Sequence, residues 1–384
     1  MRKICAITAN RADFSRMETA LREIKKHKDL ELQLVVMGSH LLYDTGNTIE
    51  EIRQKGFGVD RTIYMEVSGS NPSTMSKSVG LAIIELSSVL DNLKPDLVLV
   101  PVDRFESLAM GVAASLMNLP IAHIQGGEIT GTIDESIRHA LTKLSHIHFP
   151  ATELSRQRII RMGEPEDLVF NVGCPGTDLL LEAPVLNAKQ TIELLNQDLA
   201  NPLDPERPFI LMVQHPVTTE FGSATKEITE SMEAMSEFEE QIIILWPNID
   251  AGADELSRVL RKYTIFAKNG KGMRIFKHWP TETFANIMRN AVCQVGNSSS
   301  GIRESCYFGT PVVNVGSRQQ DRERGKNVMD VGYDRREIAA AVRQQIKHGK
   351  YKMEAIYGDG TAGRQIADIL ASIKIPSVQK RIRY

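Results

Sequence analysis

The sequence predicts an α/β protein made of two doubly wound, Rossmann-like domains. Its 384 residues are too many for one small domain and fit two domains of average size. Short β-rich apolar runs alternate with amphipathic stretches, which is typical of a parallel sheet with helices on both faces. This alternation weakens once, near the middle of the chain, and then restarts. Two facing domains of this kind form a cleft, where we expect the ligand site.

The first half begins with a strand and continues the alternation to residue 151. The opening residues carry a basic pair and an apolar run that turns polar at Asn10, so they predict a strand and not a signal peptide. A polar, turn-like stretch at 68–72 precedes a long helix. The predicted strands are residues 4–9, 32–37, 96–102, 121–125 and 148–151, and the predicted helices are 14–26, 74–93, 107–117 and 134–146.

Prolines mark the junction between the two predicted domains. Four of them occur with polar residues between positions 184 and 208, where the periodicity is weak. We therefore predict an N-terminal domain over 1–180, a junction over 181–207 and a C-terminal domain over 208–384, whose last helix packs back on the N-terminal domain. The second half predicts strands at 209–214, 241–246, 273–276, 293–296 and 311–315, and helices at 282–290 and 335–345.

Composition and charge disfavour several classes of protein. A formal net charge of −2 and a pI near 6.5 argue against a basic nucleic-acid-binding protein. No apolar run approaches the roughly 18 residues that span a bilayer. Cys5, Cys174, Cys293 and Cys306 are scattered and form no CxxC pair. We therefore expect a cytoplasmic protein with reduced thiols, without disulfides or a structural zinc site.

Familiar cofactor motifs are misplaced or missing. Residues 358–363 satisfy GxGxxG, but no βαβ unit follows them, so we reject a dinucleotide site there. The GxxxxGK[ST] pattern is absent, which disfavours a P-loop phosphotransferase, and so is the HExxH metal spacing. We expect neither a metal ion nor a redox cofactor.

Polar side chains follow the predicted strands of the first half. Arg11 and Ser15 come after the first strand. They either hold a phosphate together with helix N-terminal amides, or Arg11 is a solvated charge and Ser15 is a plain N-cap. Asp103 and Arg104 come directly after the strand at 96–102. That position suits either a group in the cleft or a helix-capping acid.

A glycine turn and a helix start follow the strand at 121–125. Two glycines in HIQGGE (residues 123–128) permit a tight turn. Thr132 and Glu135 fit a capping box at the start of the next helix. On that interpretation, Asp134 is a first-turn acid favoured by the helix dipole.

The second half places its polar residues in the same way. His215 and Asn248 each follow a predicted strand. The run NSSSG (residues 297–301) offers hydroxyls and backbone N–H groups at a helix start, which either cradle a diphosphate or form an unliganded cap. Glu304 would accept from ribose hydroxyls or pair with a cation, and Arg318 would reach an anion.

These stretches, in this order, resemble the UDP-N-acetylglucosamine 2-epimerase family. The match is to its hydrolysing branch, the bacterial sialic-acid-type enzymes and the epimerase half of the animal bifunctional epimerase/kinase. The resemblance covers nearly the whole chain and implies a fold similar to the GT-B glycosyltransferases, an active site in the interdomain cleft and a homodimer. The matching stretches are NRADFS (10–15), GSH (38–40), GNT (46–48), DRF (103–105), GGE (126–128), GTIDESIRH (131–139), GCP (173–175), GNSSSGIRE (296–304), FGTP (308–311), RQ (318–319) and YGDG (357–360).

The resemblance implies roles for single residues. Asp103, Asp134 and the residue at position 125, here Gln125, would face the sugar. Asp103 is the leading acid/base candidate, and Asp134 is its partner. Many relatives carry HIEGGE where this chain has HIQGGE, and an amide cannot exchange a proton as a carboxylic acid can. Gln125 only positions the sugar, or Glu128 or Asp134 takes the acid/base duty, or the substrate differs. The nucleotide and diphosphate would bind to Arg11, Ser15, Arg104, His215, Asn248, Ser298, Ser299, Glu304 and Arg318.

The reaction implied by the resemblance needs no redox step. Loss of UDP from C1 develops oxocarbenium character, which acidifies the C2 proton, and a carboxylate removes that proton to give a 2-acetamidoglycal. Water then adds at C1 while C2 is protonated from the other face. The products would be UDP and a free 2-epimeric amino sugar for sialic or legionaminic-type acid synthesis. The sugar, UDP-GlcNAc or UDP-N,N′-diacetylbacillosamine, stays open.

Three alternative functions stay open as well. A non-hydrolysing epimerase would release the UDP-linked 2-epimer, and a GT-B glycosyltransferase would deliver the sugar to an acceptor. A nucleotide-sugar-binding regulator would perform no reaction. The acidic residues beside the presumed sugar site weigh against the regulator.

Overall fold

Two six-stranded parallel sheets organise the residues that the computed structural model describes, namely 1–43, 47–69, 71–197, 199, 202–217, 222–247, 253–265 and 272–381. By its internal contacts, the chain divides into two units. The first unit contains Met1–Glu128, Ile133–Glu182 and Tyr357–Tyr384, and the second contains Ile129–Thr132 and Ala183–Ile356. The α/β class with two doubly wound halves is confirmed.

The sheet of the first unit has a Rossmann-like strand order. Its strands are β1 (Arg2–Thr8), β2 (Leu30–Met37), β3 (Arg61–Ile63), β4 (Leu97–Pro101), β5 (Ile121–Ile124) and β6 (Ile147–Phe149). They pair in parallel in the order β3-β2-β1-β4-β5-β6, so the direction of winding reverses between β1 and β4. Such a switch point leaves a crevice beyond the carboxyl ends of the two strands.

Helices cover both faces of this sheet. Successive residues of β1 enter opposite cores, with Ile4 in one and Cys5 in the other, because strand side chains alternate. In the described part of the chain, no helix combines the length and apolar character needed to cross a membrane. The helices are α1 (Arg11–Ser15), α2 (Glu18–Lys26), α3 (Ile49–Gln54), α4 (Pro72–Leu93), α5 (Phe105–Leu116), α6 (Asp134–Leu144), α7 (Glu153–Arg161) and α8 (Pro175–Glu182), with short 3-10 helices at Gly38–Leu41 and Glu166–Leu168.

The second unit repeats this plan with its own sheet. Its strands are β7 (Phe209–Val213), β8 (Gln241–Leu245), β9 (Met273–Phe276), β10 (Cys293–Gly296), β11 (Val312–Val315) and β12 (Val328–Val331). The parallel order β12-β11-β10-β7-β8-β9 places the switch point between β7 and β10. The helices are α9 (Ala188–Asn196), α10 (Ala224–Met235), α11 (Ala253–Ile265), α12 (Thr281–Asn290), α13 (Ser299–Arg303), α14 (Ser305–Phe308) and α15 (Arg335–His348).

The structure differs from the sequence prediction at several elements. The predicted helix 14–26 is two helices, because α1 ends at its C-cap, Arg16, and the backbone of Met17 (φ −122°, ψ −18°) is not helical, so α2 begins anew at Glu18. The sequence missed β3 and β12, and the segment 181–207, predicted as the junction, contains α9. Asn187 caps α9 and forms a capping box with Gln190.

The last helix, α16 (Ala362–Ser372), belongs to the first unit. The carboxylate of Asp178 accepts hydrogen bonds from the N–H groups of Ala362 at 3.2 Å and Gly363 at 2.7 Å, and from the hydroxyl of Thr19 at 2.9 Å. A Cβ at Gly363 would lie 2.5 Å from backbone carbon of Thr19. The GxGxxG glycines therefore permit close packing, and the chain's own carboxylate occupies the helix N-terminus where a dinucleotide phosphate would bind.

We predict that Asp178→Ala lowers the free energy of unfolding by about 1–3 kcal/mol, because two helix N–H groups lose their acceptor. Urea denaturation of the full chain, followed by circular dichroism, measures this change. The matched control is Asp368→Ala, which removes an exposed carboxylate from the same helix. Equal urea midpoints for the two variants would show that Asp178 does not hold α16.

Candidate active site

The carboxyl ends of three neighbouring strands bring predicted site residues of the first unit together. Asp103 and Arg104 follow β4, and Gln125 follows the adjacent β5. Arg11 follows β1, which is paired with β4 on its other side. These residues therefore share the edge of the sheet at its switch point, where ligands of such folds bind.

A buried arginine holds the carboxylate of Asp103. Arg138 of α6 donates from Nε to Asp103 Oδ2 at 3.0 Å, and its Nη2 donates to the same oxygen. Its Nη1 donates to the carbonyl of Glu128 at 2.8 Å and to Glu135 Oε2 at 2.7 Å. Arg138 is fully buried, and a buried charge requires a partner. Asp103 is thus an oriented carboxylate paired with a cation.

The backbone that leads into Asp103 is strained. Val102 has φ +42°, a region that β-branched residues rarely adopt. The N–H of Val102 donates to the carbonyl of Ile124 at 3.0 Å, and its own carbonyl accepts from Nε2 of His123 at 2.6 Å. Such strain persists where surrounding contacts impose it, and it concentrates at functional sites.

Gln125 also has an unusual backbone conformation and a buried amide. Its φ is +66°, and its N–H donates to the carbonyl of Phe149 at 2.9 Å. The side-chain Nε2 donates to Sγ of Cys174 at 2.6 Å, while Oε1 has no hydrogen-bond partner among the described residues. A neutral amide anchored to a thiol can position a ligand, but it cannot act as an acid or a base.

The capping box predicted for α6 is wrong. The helix begins at Asp134, and its N-cap is Ile133, which supplies no capping side chain. Glu135 instead accepts from Arg138 and from Nε2 of His139 at 2.8 Å, so its carboxylate contacts side chains one turn later in α6 and not the helix start. Asp134 is half-buried at the first position of the helix.

A second group of carboxyls lies beside Arg104. Arg104 is the N-cap residue of α5, and its Nε donates to Glu106 Oε2 at 3.3 Å. The Nδ2 of Asn10 donates to Asp13 Oδ2 at 2.7 Å and to Glu106 Oε1 at 3.4 Å. Burial and the neighbouring Glu106 raise the pKa of Asp13 well above its usual range. Sequence reasoning missed Asp13 and Glu106, although each lies four residues after the end of a predicted strand.

The predicted helix start at Ser15 is wrong as well. Asn10 is the N-cap of α1, and its side chain accepts from the N–H of Asp13. Arg11 is the first helical residue and is half-buried. Ser15 closes the helix, and its hydroxyl donates to the carbonyl of Ala12 at 3.0 Å. Asn10 takes the cap because it is the last extended residue after β1.

Asn297 organises the switch point of the second unit. His215 follows β7 and Asn297 follows the adjacent β10. The Oδ1 of Asn297 accepts from the N–H of His215 at 2.7 Å, and its Nδ2 donates to the carbonyl of His215 at 2.9 Å. This two-point contact fixes the loop that carries His215. The sequence placed Asn297 in a matching stretch, but it did not predict this role.

The serine run forms a short, capped helix. Ser298 is the N-cap of α13, and its hydroxyl accepts from the N–H of Ser300 at 3.3 Å. The hydroxyl of Ser300 donates to Ser298 at 3.0 Å and accepts from Nε2 of Gln294 at 3.0 Å. Ser299 begins the helix and is half-buried. The hydroxyls of Ser298 and Ser300 therefore take part in capping contacts within the turn.

Arg318 contacts the start of this turn, and Glu304 follows its short helix. The Nη1 of Arg318 donates to the carbonyl of Asn297 at 3.2 Å, and Nε2 of Gln319 donates to the same carbonyl at 3.0 Å. Glu304 separates α13 from α14 and is half-buried. The second unit thus brings His215, Ser298, Ser299 and Arg318 together around Asn297.

Other predicted residues have simpler outcomes. Asn248 lies outside the described residues. The four cysteines are buried and not joined by disulfides. Within the described ranges, no cluster of three or more His, Cys, Asp or Glu side chains could hold a metal ion.

The two Rossmann-like sheets, each with polar residues gathered at its switch point, define a two-domain α/β protein of the GT-B-like class. A family model described as UDP-N-acetylglucosamine 2-epimerase matches residues 22–371. The chain belongs to this family, as its sequence motifs predicted.

Individual relatives agree with this assignment. A Legionella pneumophila protein named UDP-N,N′-diacetylbacillosamine 2-epimerase (hydrolyzing) is 37% identical over 98% of this chain and 97% of its own. A Campylobacter jejuni protein named GDP/UDP-N,N′-diacetylbacillosamine 2-epimerase (hydrolyzing) is 34% identical over 86% and 84%. The crystal structure of the Neisseria meningitidis UDP-GlcNAc 2-epimerase bound to UDP-GlcNAc superposes with a TM-score of 0.77, at 19% identity over 96% and 99% of the two chains.

We predict that His123 makes the folded protein less stable at acidic pH. Burial lowers the pKa of His123 from 6.5 to about 4, so the folded ring is neutral where the unfolded ring takes up a proton. The stability contribution is therefore present above pH 6.5 and is lost as the pH falls towards 4. Within that window, this one proton shifts the unfolding equilibrium by up to about tenfold per pH unit.

Urea midpoints of the wild type and His123→Asn, measured between pH 7.5 and 4.5, check this prediction. The destabilisation caused by His123→Asn should shrink as the pH falls, because the variant has no ring that must lose a proton to fold. His139→Asn, which removes a half-buried histidine from α6, is the control. A pH-independent difference for His123→Asn would contradict the prediction.

Proposed function

We propose that this chain is a hydrolysing 2-epimerase that converts a UDP-linked 2-acetamido sugar into UDP and the free 2-epimer. The full-length relative at 37% identity, which is named for the hydrolysing reaction, carries the proposal. The first unit adds the chemistry that such a reaction requires, a carboxylate fixed beside a sheet switch point. The reaction has two demands, removal of the C2 proton and stabilisation of the departing diphosphate.

Asp103 is the proposed base that removes the C2 proton. Its pairing with Arg138 keeps it ionised, which a base must be before it accepts a proton. Asp134 is the proposed partner that returns a proton to the other face of C2. Glu128 is the alternative partner, and each positioned acid or base would contribute about 10²–10⁴-fold to the rate.

The residues around Asn297 are the proposed diphosphate-binding group. Arg318 supplies a cation, and the turn at Ser298 and Ser299 supplies hydroxyl and N–H donors. His215 is held beside them by the side chain of Asn297. Further nucleotide contacts are proposed for Arg11, Ser15, Arg104, Asn248 and Glu304, from the family resemblance.

The proposed substrate is UDP-N,N′-diacetylbacillosamine, with UDP-GlcNAc as the comparison. The Legionella pneumophila and Campylobacter jejuni relatives are named for the diacetylbacillosamine sugar, whereas the Neisseria meningitidis structure is bound to UDP-GlcNAc. We also propose that the enzyme works in the cytoplasm as a homodimer and supplies sialic or legionaminic-type acid synthesis. The support for these last points is the resemblance to the sialic-acid-type branch of the family.

The function predicts a specific isotope pattern. In D₂O, without acceptor, metal or NAD, the released manno-configured sugar should carry deuterium at C2, because a solvent proton replaces the one removed. UDP should form in an equal amount, because nucleotide and sugar separate in each turnover. NMR of the products from both nucleotide sugars measures both quantities.

Each alternative function gives a different result in that experiment. A deuterated epimer still linked to UDP would indicate the non-hydrolysing reaction. A free sugar with its original C2 configuration and no deuterium would indicate hydrolysis by a glycosyltransferase. Tight binding without turnover would indicate a regulator.

Gln125 should matter less for turnover than Asp103. We expect Asp103→Asn to lose nearly all kcat while it still binds UDP, and Gln125→Ala to retain more activity, because the amide of Gln125 positions the sugar without exchanging a proton. Steady-state kinetics and calorimetry with UDP measure these effects. Near-normal turnover of Asp103→Asn would transfer the acid/base role to Glu128 or Asp134.

A further inference from the structure

Asp103 is fixed through both its side chain and its backbone. Two bonds from Arg138 hold Oδ2 of the carboxylate. The preceding residue, Val102, is held with φ +42° by its two hydrogen bonds to β5, one of them from His123. The direction of the carboxylate is therefore set from α6 and from β5 independently.

Arg138 connects three positions that the proposed reaction uses. It donates to Asp103, it donates to the carbonyl of Glu128, and it belongs to the helix that begins with Asp134. Burial acts to lower the pKa of Arg138, but the carboxylates of Asp103, Glu128 and Glu135 raise it above the ordinary value. Its planar fork can meet several acceptors at fixed angles, which a lysine ammonium cannot reproduce.

His123 acts on the backbone in a complementary way. The ring is fully buried and neutral, and it donates from Nε2 to the carbonyl of Val102. A Val residue with positive φ is unfavourable by itself, so the contacts on either side of the peptide must impose this conformation. The strand would otherwise continue in an extended form and aim Asp103 elsewhere.

We propose that Arg138 and His123 are positioning residues that hold Asp103 as an oriented, ionised base for removal of the C2 proton. This proposal rests on the proposed function, and it adds two residues that act through Asp103 and not on the substrate.

The charged and titratable groups near Asp103 come from several elements. Arg138 and Glu135 lie on α6, His123 lies on β5, and Asp13 of α1 interacts with Asp103 electrostatically. Arg138 is a cation in direct contact with the carboxylate. Its removal should therefore make Asp103 easier to protonate.

The first test replaces the arginine. Arg138→Met should lower kcat by about 10²-fold or more while KM changes by less than about threefold, because misplacement of a reacting group affects the transition state more than binding. The acidic limb of the kcat profile should move to higher pH. Arg138→Lys should fall between the two enzymes, since it restores the charge without the fork. Arg161→Met, an exposed arginine on α7, is the matched control and should keep wild-type kinetics.

The second test uses a double variant that leaves no unpaired buried charge. Asp103→Asn/Arg138→Met should be no slower than Asp103→Asn alone, because the proposed contribution of Arg138 to the rate is the positioning of Asp103. His123→Gln should lower kcat by about tenfold with little change in KM.

Thermal unfolding of every variant checks that the chain is folded. If Arg138→Met does not fold, Arg138→Lys and the double variant still test the proposal.

A measurement without turnover separates this proposal from the proposed function. In ¹³C-aspartate-labelled protein, the carboxyl resonance that disappears in Asp103→Asn belongs to Asp103, and it should titrate at higher pH in Arg138→Met than in the wild type. If wild-type protein forms no 2-epimer, the proposed function fails while this titration still reports on Arg138. An unchanged Asp103 titration together with wild-type kcat in Arg138→Met, or additive losses in the double variant, would overturn the positioning role.

Discussion

The parallel arrangement of the strands is the constraint on which the rest of the structure depends. Because all strands of a sheet point the same way, every loop at their carboxyl ends leaves from one edge, and the reversal of winding opens a crevice there. In the first unit this edge receives Asp103, Arg104 and Gln125, and in the second it receives His215 and Asn297. The helices that cover the sheets then supply side chains such as Arg138 to the same edge. The topology of each sheet therefore brings the loops that carry polar side chains to one edge, whatever residues those loops contain.

The sequence predicted the interior strands and the edge strands β6 and β9, but it missed the edge strands β3 and β12, for a physical reason. Central strands such as β1 and β7 are buried on both faces, so they appear as continuous apolar runs. The missed strands β3 and β12 lie at the edges of their sheets, are three and four residues long, and are partly exposed. Each of these two strands is defined by its hydrogen bonds to one neighbouring strand. A local pattern of hydrophobic residues does not reveal such a pairing.

The same distinction separates the predicted from the missed parts of the candidate site. Positions directly after buried strands could be identified from the sequence, which is why Asp103, Gln125 and His215 were selected. Contacts between distant segments could not, because Arg138 has the same local sequence signal as any helical arginine until α6 is placed beside the loop that follows β4. Helix caps were only partly predictable from the sequence. The candidates Ser15 and Thr132 were plausible by type, but Asn10 and Ile133 occupy the cap positions, since a cap depends on the residue at which the backbone turns helical.

The charge balance at the edge of the first sheet gives a physical reason for an amide at position 125. This edge already carries more carboxyl groups than it can easily ionise. Burial and the nearby Glu106 raise the pKa of Asp13 well above its usual range, and they raise the pKa of Glu66 to about 7. A further carboxylate at position 125 would be buried against the Cys174 thiol, which offers no positive charge. The neutral amide avoids that cost, and the cation Arg138 remains paired with Asp103, the carboxylate proposed as the base.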